Sequence, residues 1–347
     1  MDVKLCQLMD NLGQYILLNA YSTDSSGLYN GKAGLSIVLF ELSAISGNKL
    51  WEDHAYELIC QALITTDLNT SFTSGLSGIG YSLLYLINNN FIDADFDELF
   101  GEKRNLIEKI LNSEIEKMNY ELLLSEIYYL NALDYRRNEN EEKLLKNLNE
   151  GIIKECSKKM QKALCRENRI HKVHLKRVFQ KLLKQFLIID IFFNPDIILN
   201  LCLSYSDLYE KRILSSDLII GIYLEKIAKK HKDEKLMETA LSNINKGIKN
   251  YQSEVFTFEE KIELLFLLPF EECAVENVNI FISKLTSSII GVNGKTIEQS
   301  ITDSLTTSVV KYGLGHGVSR ILLFLIYQYY ITLGKKTDVK RLWNLLV

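Results

Sequence analysis

The sequence predicts an all-α protein built as an α/α toroid, a double-layered helical barrel of about six to seven helical hairpins. Three observations carry this. First, a Ser/Gly-rich turn running into an apolar helix occurs three times: Ser26-Gly27-Leu28-Tyr29-Asn30-Gly31-Lys32-Ala33-Gly34, Thr73-Ser74-Gly75-Leu76-Ser77-Gly78-Ile79-Gly80 and Leu314-Gly315-His316-Gly317-Val318-Ser319-Arg320. Aligning Gly31, Gly75 and Gly317 puts Asn30, Ser74 and His316 in one column, and Gly34, Gly78 and Arg320 in another. Second, the chain reads as helix after helix, with only Pro195 and Pro269 to interrupt it and no convincing strand. Third, the signature recurs at both ends of the chain. A ring whose first and last units meet explains that better than an open rod of helix pairs.

In order, residues 2–19 predict an opening helix through Leu5, Leu8, Met9, Leu12 and Ile16. The first repeat then gives a helix over 31–46, a stop at Gly47-Asn48 and a second helix over 50–64. The next hairpin pairs 76–89 with 102–117, and a third, without glycines, pairs 122–135 with 141–160. Further pairs are expected at 177–193 with 196–209, 218–230 with 235–251, and 258–268 with 278–290. Residues 291–310 read as a loop, 318–332 as the last long helix ended by Gly334, and a short helix from about 338 closes the chain. The whole of 1–347 is expected to be one domain.

Composition bounds the function. A hydrophobic content of 47% supports a large core. A net charge of −4 provides no global field for nucleic acid. The N-terminus lacks the basic start and apolar core of a signal peptide, and 186–203 is too broken by Asp190, Asn194, Pro195 and Asp196 to span a membrane. The six cysteines, Cys6, Cys60, Cys156, Cys165, Cys202 and Cys273, have no paired spacing, which points to reduced thiols and a cytoplasmic setting. The stretch 164–185 is strongly basic and reads either as a solvated helix face or connection, or as a docking surface for an acidic partner such as a peptide leader. A phosphate-cradling reading of the first glycine loop fails because Ala33, not Ser or Thr, follows Gly31-Lys32.

The segments Ser26–Gly34 and Ser74–Gly80 resemble the repeat signature of the lanthionine synthetase C-like proteins. The resemblance is specific over the first 90 residues and the last 35. It implies an α-toroid and a peptide-modification setting. Catalytic members of that family hold zinc through two cysteines and a histidine, and cyclise peptides by adding a cysteine thiol to a dehydroalanine or dehydrobutyrine. Zinc lowers the thiol pKa there, and an acid protonates the resulting enolate. The family's Trp-Cys-Tyr-Gly-like and Cys-His-Gly ligand segments are both missing from this chain, and Gly315 precedes His316-Gly317 where a ligand segment has cysteine. The expectation is therefore no metal site, with zinc absent as a cofactor.

His316 is the candidate catalytic residue, its alternative role being a helix cap in the Asn30/Ser74 column. Tyr29, Asn30, Lys32 and Arg320 are candidate substrate-binding residues at the rim, with plain turn or salt-bridge roles as the alternative. Two functions follow. One is a zinc-free pseudoenzyme or binding component in the maturation of a ribosomally made peptide, with a precursor peptide or a modifying enzyme as partner. The other is an active cyclase whose altered site centres on His316. A toroid enzyme acting on carbohydrate or isoprenoid is disfavoured, because no paired carboxylates stand out.

Overall fold

A computed structural model of the protein describes residues 3–114, 120–165, 169–188, 195–251, 313–314, 317–335, 337–338 and 341–342, together with 261, 264, 280, 281, 284 and 285. His316 and Cys273 lie outside these, as do nearly all of the expected helices at 258–268 and 278–290 and the whole loop at 291–310. Twelve α-helices and no strand are found among the described residues. They are α1 (Val3–Ala20), α2 (Lys32–Ser46), α3 (Lys49–Leu63), α4 (Leu76–Asn88), α5 (Phe96–Glu114), α6 (Tyr120–Ala132), α7 (Glu139–Cys165), α8 (Arg169–Ile188), α9 (Pro195–Glu210), α10 (Leu218–His231), α11 (Glu234–Lys249) and α12 (Val318–Thr332). No described helix is long and apolar enough to cross a membrane. Two compact units divide the chain: Met1–Leu145 with Ile290–Leu346, and Lys146–Ile289 with Val347.

In the first unit α2, α4 and α6 form a row, with α2 packed on α4 and α4 on α6, and α12 joins that row by packing on α2. The first and last repeats therefore adjoin. α3 and α5 are the second helices of their hairpins and cover α2 and α4. The division follows from sequence. α2 is buried continuously from Ala33 to Ser43, whereas α3 buries only one stripe, Trp51, Ala55, Leu58, Ile59 and Ala62. Between them Gly47 takes φ 67°, the left-handed region, and returns its N–H to the Ser43 carbonyl at 2.8 Å. Asn48 Oδ1 then accepts the Leu50 N–H at 3.0 Å to start α3.

α5 begins at Phe96, six residues before the expected start at 102. Asp95 is the reason: its Oδ1 accepts the Glu98 N–H at 2.9 Å, capping a helix that starts early. At the head of α7, Asn138 and Glu141 exchange N–H···O bonds of 2.9 Å, a capping box. Arg104 of α5 grips the same Glu141 with two bonds, of 2.8 and 2.6 Å.

The chain end is tied to α2 through a buried carboxylate. Glu41 is fully buried and accepts bonds from Tyr85 OH at 2.5 Å, Arg341 Nη2 at 2.7 Å and Tyr330 OH at 3.4 Å. Burial pushes the Glu41 carboxyl above its usual range, and the Arg341 guanidinium pulls it back. Arg341 also holds Asp338 at 2.8 Å.

In the second unit α10 packs on both α8 and α11, and α9 packs on α11. Phe179 of α8 stacks on Tyr205 of α9 at 5.0 Å. Asp217 and Asp233 cap α10 and α11 through the Ile220 and Leu236 N–H groups, as the acidic start of the latter helix predicts. α8 starts at Arg169, well before the expected 177, so the basic stretch is for the most part a helix and not a connection.

Candidate functional site

A helix start leaves its first backbone N–H groups without partners inside the helix. In α2 and α4 the preceding loop supplies them. Lys32, Ala33 and Gly34 donate to the carbonyls of Ser25, Ser26 and Gly27 at 3.0, 3.2 and 3.4 Å. Leu76 and Ser77 donate to Asn69 and Thr70 at 2.7 and 3.4 Å. Each bond reaches back seven residues, so both loops fold over their own helix in the same way. The wrap needs glycine where the loop crosses. A Cβ on Gly34 would collide with the Leu28 carbonyl oxygen, and one on Gly78 with that of Phe72, the matching residue six positions back in each case. The last repeat has Arg320 at this position, which excludes the same close crossing there. These N–H groups are already used, which is the structural reason the loops are not anion cradles.

The three loops lie side by side. Tyr29 donates its N–H to the Thr73 carbonyl at 2.9 Å, joining the first loop to the second. Gly313, just ahead of the last repeat, sits against the Tyr29 carbonyl and Asn30, and Leu314 Cβ would touch a Gly34 side chain at 3.4 Å. The rim of the first unit is thus a continuous surface made from both ends of the chain.

Aromatic rings cluster on it. Phe72 is buried and central, with Tyr29 edge-on at 6.3 Å, Tyr81 edge-on at 5.2 Å and Tyr128 stacked at 5.7 Å. The three tyrosines are half-buried, and burial raises the pKa of the Tyr81 hydroxyl well above its ordinary value. Behind them stands Glu126 of α6, fully buried, whose Oε1 accepts the Phe72 N–H at 3.1 Å. Oε2 has no partner, and the Ser77 hydroxyl lies near enough to draw the carboxyl pKa down without completing a hydrogen bond. Burial outweighs both donors and pushes the Glu126 carboxyl up to about 7.

The sign of the pH effect follows. Between the ordinary value of 4.5 and about 7 the folded chain keeps a proton that the unfolded chain has released. Stability is therefore lost as pH rises through that window and stays lost above it. Glu126→Gln keeps an acceptor for Phe72 and removes the titration. It should match the parent near pH 4 and exceed it by about 1–3 kcal/mol at pH 8 in urea unfolding. Parallel pH profiles for the two proteins would refute the assignment.

The predicted site residues fall as follows. Tyr29 joins the aromatic cluster, and Asn30 is exposed beside Gly313. Lys32 opens α2 and is half-buried, and Arg320 is half-buried on the first turn of α12. Tyr29 and Asn30 are brought together with the second and last loops. His316 lies outside the described residues. Of the other aromatics on this row of helices, Tyr85, Phe324 and Tyr327 are buried core, and only Tyr81 reaches the cluster. Phe72, Tyr128 and Glu126 were not foreseen. Phe72 was findable, because it occupies the Leu28 column of the repeat.

Among the described residues, no group of three or more His, Cys, Asp and Glu side chains is gathered that could hold a metal. Cys202 is buried in the second unit, where burial pushes its thiol well above the usual range.

Comparison with known proteins agrees with the repeat signature. Residues 22–176 match the profile of the family described as lanthionine synthetase C-like protein. No curated protein matches the chain by sequence. Among solved structures, nisin cyclase is similar with a TM-score of 0.58 and 14% identity, over 98% of this chain and 99% of that one. At that identity the likeness is one of fold, the α/α toroid expected from the repeats. Over residues 22–176 the chain is similar in sequence to the lanthionine synthetase C-like proteins, and along nearly its whole length it shares the fold of nisin cyclase.

Proposed function

We propose that this protein is a binding component in the maturation of a ribosomally made peptide, engaging a precursor peptide at the rim of the glycine loops and working without zinc. The observation that carries the reading is the fate of the ligand segments. None of the six cysteines precedes a His-Gly pair or a Gly-rich helix start, and Gly315 stands before His316-Gly317. The rim in contrast keeps what peptide recognition uses: half-buried tyrosines, an exposed Asn30 and the cationic Lys32 and Arg320.

The test uses purified full-length protein and small peptides encoded beside its gene. Far less than one zinc per chain is expected, with no change in peptide mass. Tyr29→Ala should weaken peptide binding about tenfold, the size of effect an aromatic anchor gives. One zinc per chain, lost on replacing Cys202 or Cys273, would overturn the reading. So would thioether formation that His316→Ala abolishes, which is the outcome an active cyclase with an altered site requires.

A further inference from the structure

Three described carboxyls of the first unit are buried, and one stands apart. Glu41 is paired with Arg341 at 2.7 Å and Glu141 with Arg104 at 2.6 Å. Glu126 is buried as deeply, yet it belongs to no ion pair among the described residues. Its Oε1 accepts the Phe72 N–H at 3.1 Å, while Oε2 and the nearby Ser77 hydroxyl are each buried without a hydrogen-bond partner. A charge removed from water and given no cation is costly, so this site favours the neutral acid. The neutral acid also suits the geometry. It has one proton to donate, and the Ser77 oxygen is an unused acceptor beside it.

The bond to Phe72 carries the state of this carboxyl to the rim. Phe72 is the centre of the aromatic cluster and lies in the loop that wraps the start of α4. Exposed side chains of the loop itself brace it elsewhere: Asp67 Oδ1 accepts the Asn69 N–H and Asn69 Oδ1 the Ser71 N–H, each at 3.0 Å. Segments held by solvent-exposed bonds open locally while the helices around them stay formed. An ionised Glu126 needs water, and water reaches a fully buried carboxylate only if a segment covering it moves.

The groups facing Glu126 leave it alone to titrate near neutrality. The loop brings the Phe72 N–H, and α4 brings the Ser77 hydroxyl and, across Phe72, the Tyr81 phenol. On α6 itself stands the Tyr129 phenol, beyond which Arg104 and Asp97 of α5 and Glu141 of α7 pair among themselves. Burial pushes both phenols well above their ordinary range, so they stay neutral.

We propose that Glu126 is a positioning residue for the rim, a proton-held latch: protonated, it clamps Phe72 and the second glycine loop onto α6, and ionised, it releases them. The latch stands on the geometry of the first unit, and its consequence for peptide binding rests on the rim reading above. The sign is fixed by burial. The closed loop keeps a proton that the open loop gives up, so closure is strongest in acid and weakens as pH rises from the ordinary 4.5 to about 7.

The experiment is hydrogen exchange of the full chain read by mass spectrometry, with each rate divided by the intrinsic amide rate at that pH. Protection over residues 69–77 should fall about a hundredfold between about pH 5 and about pH 8, levelling off above about 7. In Glu126→Gln an acceptor for Phe72 remains and nothing ionises, so protection there should change less than about threefold over the same range. The turn between α2 and α3 should keep its protection in both proteins. A flat profile in the parent overturns the proposal, even where Glu126→Gln fails to fold. So does a step that survives in Glu126→Gln, because it belongs to another group, and so does a loss spread evenly through the first unit. Affinity for the peptides encoded beside the gene, measured at the same two pH values, should fall in the parent as the loop is released. Equal peptide binding with the loop closed and released would sink the rim reading and leave the latch standing.

Discussion

Arg341→Ala is expected to lower the unfolding free energy by about 2–4 kcal/mol, measured by urea denaturation at neutral pH. The size follows from what is left behind. Glu41 has no exposure to water, and Arg341 supplies its only cationic partner among the ion pairs described. Removing the guanidinium strands a carboxylate in the core of the first unit, where its remaining partners are the hydroxyls of Tyr85 and Tyr330. Arg341 is itself partly exposed, which holds the figure below that of a fully buried pair. The loss should shrink at acid pH, where Glu41 takes a proton. Glu41→Gln should cost less, because the amide still accepts from a tyrosine and Arg341 can turn to Asp338 and solvent. A loss below about 0.5 kcal/mol in Arg341→Ala would place the pair in the class of ordinary surface bridges.

Gly34→Ala and Gly78→Ala should each destabilise the first unit by about 1–3 kcal/mol or more, the cost of forcing atoms into a packed site. The obstacle in both is a backbone carbonyl of the wrapping loop, that of Leu28 or Phe72, which cannot rotate aside as a side chain would. At Gly34 the approach to the carbonyl oxygen is the closer one, and at Gly78 the added carbon also meets Leu28 Cβ at 2.9 Å, so neither site can accept it without movement. Gly101→Ala is the control, with open space around its Cβ position and a helical site that favours Ala. Equal stability of all three variants would refute the wrapped-loop geometry.

The fold was legible because its determinants are local. The glycine columns mark where a loop must cross its own helix, Gly47 marks a left-handed stop, and Asp233 marks a start. The hairpins α2/α3 and α10/α11 follow from those signals to within a residue or two. Boundaries slipped where one residue has two readings. Asp95 suits a turn and a cap equally well, and it proved to be the cap of α5. In α8 a periodic apolar face runs from Leu175 to Phe186 beneath the lysines, and charge counting alone did not reveal how early that helix starts.

The rim was legible in part. Tyr29 and Asn30 sit inside the repeat, so alignment of the copies finds them. Glu126 and Tyr128 belong to α6, whose hairpin lacks the glycines, and no column of the repeat points to them. Their meeting with Phe72 is a tertiary fact, made by the packing of α4 on α6. The tie between Glu41 and Arg341 joins residues 300 positions apart, and nothing in the local sequence of either announces it.

The most direct test of zinc-free peptide binding is one isotherm measured twice, on protein as purified and on protein stripped with a chelator and dialysed. The peptides encoded beside the gene serve as ligand in both. The expected result is the same affinity and the same stoichiometry in the two preparations, with Tyr29→Ala weakening both about tenfold. Loss of binding on stripping, restored by one equivalent of zinc per chain, would contradict the proposed function.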